Sequence, residues 1–73
     1  MTLNTLEKGQ SAIITSINAD SELKNRFNSF GVVKGATVYA LQHTLARQTM
    51  EIRINKTRMA LRMSEAEKVG ISE

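Results

Sequence analysis

The side chains able to do chemistry in this 73-residue chain are one histidine (His43), seven carboxylates, four methionines and ten lysines and arginines; there is no cysteine. Catalysis of most kinds needs a nucleophile beside a base, a pair of carboxylates, or a bound metal. No Ser or Asp stands in a triad-like pattern with His43. Gly9, Gly31, Gly35 and Gly70 lie far apart, and none leads into the Lys-Ser or Lys-Thr of a phosphate-cradling loop. No catalytic residue is assigned, and the chain reads as a non-enzyme.

Zinc and ferrous-iron sites need two or more His, Cys or carboxylate ligands on a rigid scaffold. His43 with Glu51 or Glu65 supplies suitable ligand types, but nothing in their spacing demands a site. Met50, Met59 and Met63 are soft ligands whose ordinary use is packing. No metal ligand and no cofactor is assigned.

The cations say more. Ten basic against seven acidic side chains give a formal charge of +3. That attracts anions weakly and falls short of the dense Lys/Arg runs of a nucleic-acid tail. Two alternating runs, Met50-Glu51-Ile52-Arg53-Ile54 and Thr57-Arg58-Met59-Ala60-Leu61-Arg62, are separated by Asn55-Lys56. A two-residue link predicts a β-hairpin with φ > 0 at Asn55. Pairing Ile54 with Thr57 sets Ile52 opposite Met59 and Met50 opposite Leu61 on one face. Arg53 then faces Arg58, and Glu51 faces Ala60, on the other. A wrong register would not leave the two strands agreeing on the buried face.

Arg53 opposite Arg58 is mildly unfavourable, by about a few tenths of a kcal/mol. With Arg62 they form a basic stripe that reads in two ways. It is a docking surface for an acidic partner or phosphate, or a solvated face of extended arginines. Nucleic-acid binding normally adds exposed aromatics for stacking. Here the aromatics are Phe27, Phe30 and Tyr39, and the two Phe are better used in the core. No nucleic-acid partner is expected.

These side chains need a scaffold, and the rest of the chain supplies one. Leu3 and Leu6 lie one helical turn apart before Gly9. Ser11 to Ile17 is a β-branched run whose apolar residues do not alternate cleanly, predicting a strand with a bulge or bend. Asp20 or Ser21 caps a helix of about ten residues, on which Leu23, Phe27 and Phe30 form an apolar stripe. Glu22 precedes Arg26 by four, the favourable orientation for a helical ion pair. Gly31 falls where a left-handed C-cap is needed. Lys24 and Arg26 flank the stripe, on a solvated face or in contact with a partner.

Val32 to Gly35 reads as a tight turn, Thr37 to Gln42 as a second strand, and His43 to Gln48 as a polar connection. Ser64-Glu65-Ala66-Glu67 fits a capping box opening a single turn, and Val69 with Ile71 closes the sheet. Five short antiparallel strands with one or two short helices predict a mainly β fold, a small partly open barrel. Residues 1–73 form one domain, with oligomeric state left open. Glu7 and Lys8 interrupt any signal-peptide core, and no apolar stretch nears the roughly 20 residues that span a bilayer. The expected location is cytoplasmic, not membrane-embedded.

Three segments carry a resemblance: Leu3-x-x-Leu6-x-x-Gly9, Leu23-x-x-Arg26-Phe27-x-x-Phe30-Gly31-Val32-x-x-Gly35, and Met59-Ala60-Leu61-Arg62-x-x-Glu65-Ala66. In this order they resemble the FeoA family, small cytoplasmic accessory proteins of bacterial ferrous-iron uptake. The match runs from Leu3 to Ile71. Lys34 departs from a frequent Pro, His43-Thr44-Leu45-Ala46 from a typical Ala-Pro-Leu-Gly, and Asn55 from a common Gly.

The resemblance implies an SH3-like β-barrel. It also implies a role beside FeoB, the membrane permease with a cytosolic GTP-binding domain, with no catalytic residues to carry over. Similar modules end iron-responsive repressors, but this chain has no DNA-binding helix pair and reads as the stand-alone form. The residues expected to meet the partner are Lys24, Arg26, Phe27, Arg53 and Arg58, with Phe27 acting mainly to hold the helix in place. Two alternatives stay open: a general anion- or nucleic-acid-binding module using the same arginines, and a direct Fe(II) carrier using His43.

Overall fold

The hairpin forms in the register its side-chain parity predicts. Ile54 pairs with Thr57, Arg53 with Arg58, Ile52 with Met59, Glu51 with Ala60 and Met50 with Leu61. Asn55 takes φ 55°, the left-handed value the two-residue turn needs. The structure is a computed structural model describing residues 1–44, 46 and 48–72. Its elements are β1 (Ser11–Ile17), α1 (Ser21–Ser29), β2 (Thr37–His43), β3 (Thr49–Ile54), β4 (Thr57–Arg62), α2 (Met63–Ala66) and β5 (Val69–Ser72), after a 3-10 turn at Leu3–Thr5.

All five strands join one antiparallel sheet in the order β4-β3-β2-β1-β5. β1 serves two neighbours. Ser11 to Ile13 pair with β2, and Ile13 to Ile17 pair with β5 across an irregularity between Ile14 and Ser16. That is the bulge the uneven alternation of β1 predicts, and it lets one strand bend between two partners. The sheet is not closed, so the partly open arrangement holds.

Inward-facing residues of the strands, among them Ile14, Val38, Ile52, Ile54, Leu61 and Val69, form the core with Leu3 and Phe27. α1 covers it. Asp20 is the N-cap, its Oδ1 accepting the Leu23 N–H at 2.9 Å. At the other end the Val32 N–H donates to the Phe27 carbonyl at 2.9 Å and the Gly31 N–H to Asn28 at 3.1 Å, with Gly31 at φ 85°. This double bond pattern is a Schellman cap, and it drops Val32 into the core beside Phe27.

That cap corrects one expectation. Phe30 does not belong to the core stripe: it is 43% exposed, because the helix ends at Ser29 and Val32 takes the inward place instead. α2 also starts earlier than the Ser64 capping box predicts. Its N-cap is Arg62, whose N–H donates to Glu65 Oε1 at 3.0 Å, because β4 runs straight into the helix. β2 extends through His43, so the polar connection begins after it; Leu45 and Arg47 of that connection lie outside the described residues. Among the described residues no helix is long and apolar enough to cross a membrane.

Candidate functional site

Strand alternation turns Arg53 and Arg58 to the outer face of the sheet. The registers align them with Tyr39 and Ser11, giving a row Ser11, Tyr39, Arg53, Arg58 across four strands. The like-charge pair is offset within this face. The Arg53 guanidinium lies over the Tyr39 ring, 4.6 Å from its centroid, a contact worth about 0.5–1 kcal/mol at an exposed site. Arg58 reaches Glu51 of β3, which stands opposite Ala60, and forms an ion pair with it. Glu51 also accepts from Gln42 Nε2 at 3.1 Å. The Arg58 guanidinium, and then the Gln42 amide, hold the Glu51 carboxyl below its ordinary value. Arg53 closes no ion pair among the described residues.

The same face exposes Tyr39 (39%) and Ile13 (49%), with Ile13 paired to Thr37 in the adjoining row. Tyr and Arg are the residue types enriched where proteins meet. β2 itself signals that Tyr39 faces out, since Val38 and Ala40 on either side are buried. The role of Tyr39 beneath Arg53 is what sequence reasoning missed.

The helix residues divide. Phe27 is fully buried and presents nothing to a partner; it anchors α1. Lys24 and Arg26, two positions apart on a helix, point about 200° apart. Arg26 reaches neither back to Glu22 nor toward the outer sheet face: it bonds Glu65 of α2. Burial raises the Glu65 carboxyl, but the Arg62 N–H and the Arg26 guanidinium outweigh that and hold it below its ordinary value. The structure therefore brings Arg53 and Arg58 together and places Arg26 and Lys24 elsewhere.

His43 serves the fold. Its Nε2 lies 2.8 Å from the Leu6 carbonyl, which can only accept, so Nε2 carries the proton. Nδ1 is left as a buried acceptor with no hydrogen-bond partner. Glu51 and Glu65, the carboxylates considered with it, are engaged by Arg58 and Arg26. Among the described residues no three His, Cys, Asp or Glu gather as a metal would require.

A family model described as the FeoA domain matches residues 1–73. The chain belongs to the FeoA family. It is 38% identical over 72 residues to an Fe(2+) transport protein A of Campylobacter jejuni, covering 99% of this chain and 97% of that one. It is 38% identical over 74 residues to the protein of the same name from Helicobacter pylori, covering 100% and 97%. Among solved structures, the FeoA of Stenotrophomonas maltophilia complexed with zinc is 30% identical. That match has a TM-score of 0.86 and covers 99% of this chain and 89% of that one; it is described as a procaryotic SH3 domain protein. This FeoA-family chain thus carries an SH3-like fold and belongs to a family of ferrous iron transport.

Proposed function

We propose that this FeoA-family protein is a non-enzymatic accessory of ferrous iron transport, working in the cytoplasm by docking to the cytosolic GTP-binding region of a FeoB-like permease. The docking face is the outer sheet face, with Arg53 and Arg58 as its contacts; Lys24 and Arg26 extend it only where the partner also covers α1. The observation that carries the reading is the Arg53–Tyr39 stack beside exposed Ile13, a cation seated on an aromatic ring of an amphipathic face. A solvated face has no need to order an arginine on an aromatic platform, whereas a docking face gains by it: a preorganised side chain loses less entropy on binding. In this reading the protein holds no resident cofactor, and iron is the cargo of the permease.

A pull-down from native cytosol and membranes tests the proposal. Wild type captures a large GTP-binding membrane protein, and the double charge reversal Arg53→Glu/Arg58→Glu loses it. Equal capture by both proteins overturns the assignment of this face.

A further inference from the structure

The two edges of the sheet differ. β5 is covered by the N-terminus, where Thr2 bridges Gly70 and the Ile71 N–H donates to the Met1 carbonyl at 2.9 Å. β4 is not covered in this way. In a hairpin with a two-residue link, Ile54 and Thr57, Ile52 and Met59, and Met50 and Leu61 exchange the ladder bonds. The N–H and C=O groups of Arg58, Ala60 and Arg62 therefore point away from β3. The Met63 N–H bond to the Gln48 carbonyl, at 3.0 Å, continues the same alternation. Of the three outward amides only that of Arg62 is used among the described residues, and its acceptor is the Glu65 carboxylate. Arg58 and Ala60 stay open beside it.

A groove of about 470 Å3 runs along this edge. Arg26 and Phe30 at the end of α1 form one wall and Met59 to Arg62 the other, with Thr49 and Glu65, whose carboxylate is already paired with Arg26, completing the lining. Phe30, displaced from the core by the helix cap, supplies an apolar side chain there. Arg62 closes no ion pair among the described residues, so the edge keeps positive charge beyond that balanced by Glu51 and Glu65.

We infer that this edge takes an extended acidic segment of a partner chain, which adds to β4 as a sixth strand. The inference rests on the reading that the protein acts by docking, but not on the identity of the docked protein. Main-chain bonds to Arg58 and Ala60 hold the segment. Its side chains on the outer face lie beside Arg58 and Arg62 and are carboxylates; those on the other face are apolar and pack toward Phe30 and Met59. A second copy of this chain is the wrong occupant. Antiparallel pairing of β4 with itself about Ala60 sets Arg58 against Arg62 twice, and directly opposed like charges are destabilising.

Panning a displayed library of random ten-residue peptides against the full chain tests this. The enriched peptides alternate Asp or Glu with apolar residues. Made synthetically, one of them slows amide exchange at Arg58 and Ala60. Ala60→Pro removes an amide that bonds nothing in β3, so the edge strand tolerates it. The substitution weakens the peptide about tenfold or more, through the lost hydrogen bond and the obstructing ring. N-methylating alternate amides of the peptide does the same without touching the protein. No enrichment over the bare support overturns the inference, as does equal binding by Ala60→Pro and by the methylated peptide. Chemical-shift changes at the Tyr39 ring and the Arg53 side chain, with amide exchange at Arg58 and Ala60 unchanged, discard strand addition while leaving the outer-face reading standing.

Discussion

The guanidinium of Arg26 bonds the carboxylate of Glu65 and so joins α1 to α2 across 39 residues of chain. The other Glu65 oxygen caps the Arg62 N–H, so one carboxylate ties together the helix that covers the core and the turn that leaves β4. Its held-down carboxyl fixes the sign of a pH effect. A carboxyl more acidic in the folded state contributes stability that is fully present above its ordinary value of 4.5 and is lost as pH falls through the lower folded value. Glu65→Gln keeps an acceptor for Arg62 but loses the ion pair. Denaturant unfolding should show it less stable than wild type at pH 7 by about 1 kcal/mol or less, as suits a pair with one half-exposed partner. The gap should close toward pH 3. A gap that widens on acidification would contradict this role.

Phe27 has no exposed surface and anchors α1 on the sheet. Phe27→Ala should cost about 3–5 kcal/mol, enough to unfold a domain this small, whereas Phe27→Leu should stay folded at a cost of about 1 kcal/mol. Circular dichroism with thermal melts checks both. A folded, fully functional Phe27→Ala protein would show that the side chain is dispensable.

Salt dependence separates a protein partner from a polyanion. Phosphate contacts make affinity fall by roughly one power of salt per contact. We expect no RNA or DNA binding near physiological ionic strength in a gel-shift or anisotropy titration. Tyr39, the exposed aromatic of the basic face, has one ring face covered by Arg53. Micromolar binding with a steep salt slope, lost in Arg53→Glu/Arg58→Glu, would transfer the face to nucleic acid.

The Nε2 of His43 is committed to the Leu6 carbonyl, and among the described residues no group of three His, Cys, Asp or Glu gathers to complete a site at its buried Nδ1. Anaerobic Fe(II) titration, read by calorimetry, should therefore show no stoichiometric uptake by wild type, and His43→Ala should change stability without changing that result. One equivalent bound by wild type and none by His43→Ala would make the protein an iron carrier.

Where two local signals constrained the same residues, the structure follows the sequence. The β3–β4 register agrees because both the Asn55-Lys56 link and the alternation of Met50, Ile52 and Ile54 demand it. Gly31 follows the end of α1 because the cap needs a left-handed residue there, a conformation that Gly adopts without penalty. Phe30 escaped prediction because the i, i+4, i+7 count assumes a helix that continues, and the cap turns the chain away before the third position is reached. The start of α2 was misplaced for a related reason: Glu65 answers a backbone amide of β4, a partner no side-chain pattern reveals. The Arg26–Glu65 bond lies beyond sequence reasoning, since Glu22 offers a nearer carboxylate and only the packing of α1 over the core decides between them. Of the candidate site, the opposition of Arg53 and Arg58 was legible. The Tyr39 stack that separates their charges needed the β2–β3 register, which no short link specifies.

The most direct measurement is the affinity of this protein for the purified cytosolic GTP-binding region of a FeoB-like permease, by calorimetry at low and physiological salt. Wild type should bind, and Arg53→Glu/Arg58→Glu, with an unchanged circular dichroism spectrum, should bind about tenfold or more weakly, as expected when charges at the centre of an interface are reversed. Undiminished affinity of the reversed protein, or no binding by wild type, would contradict the docking face set out above.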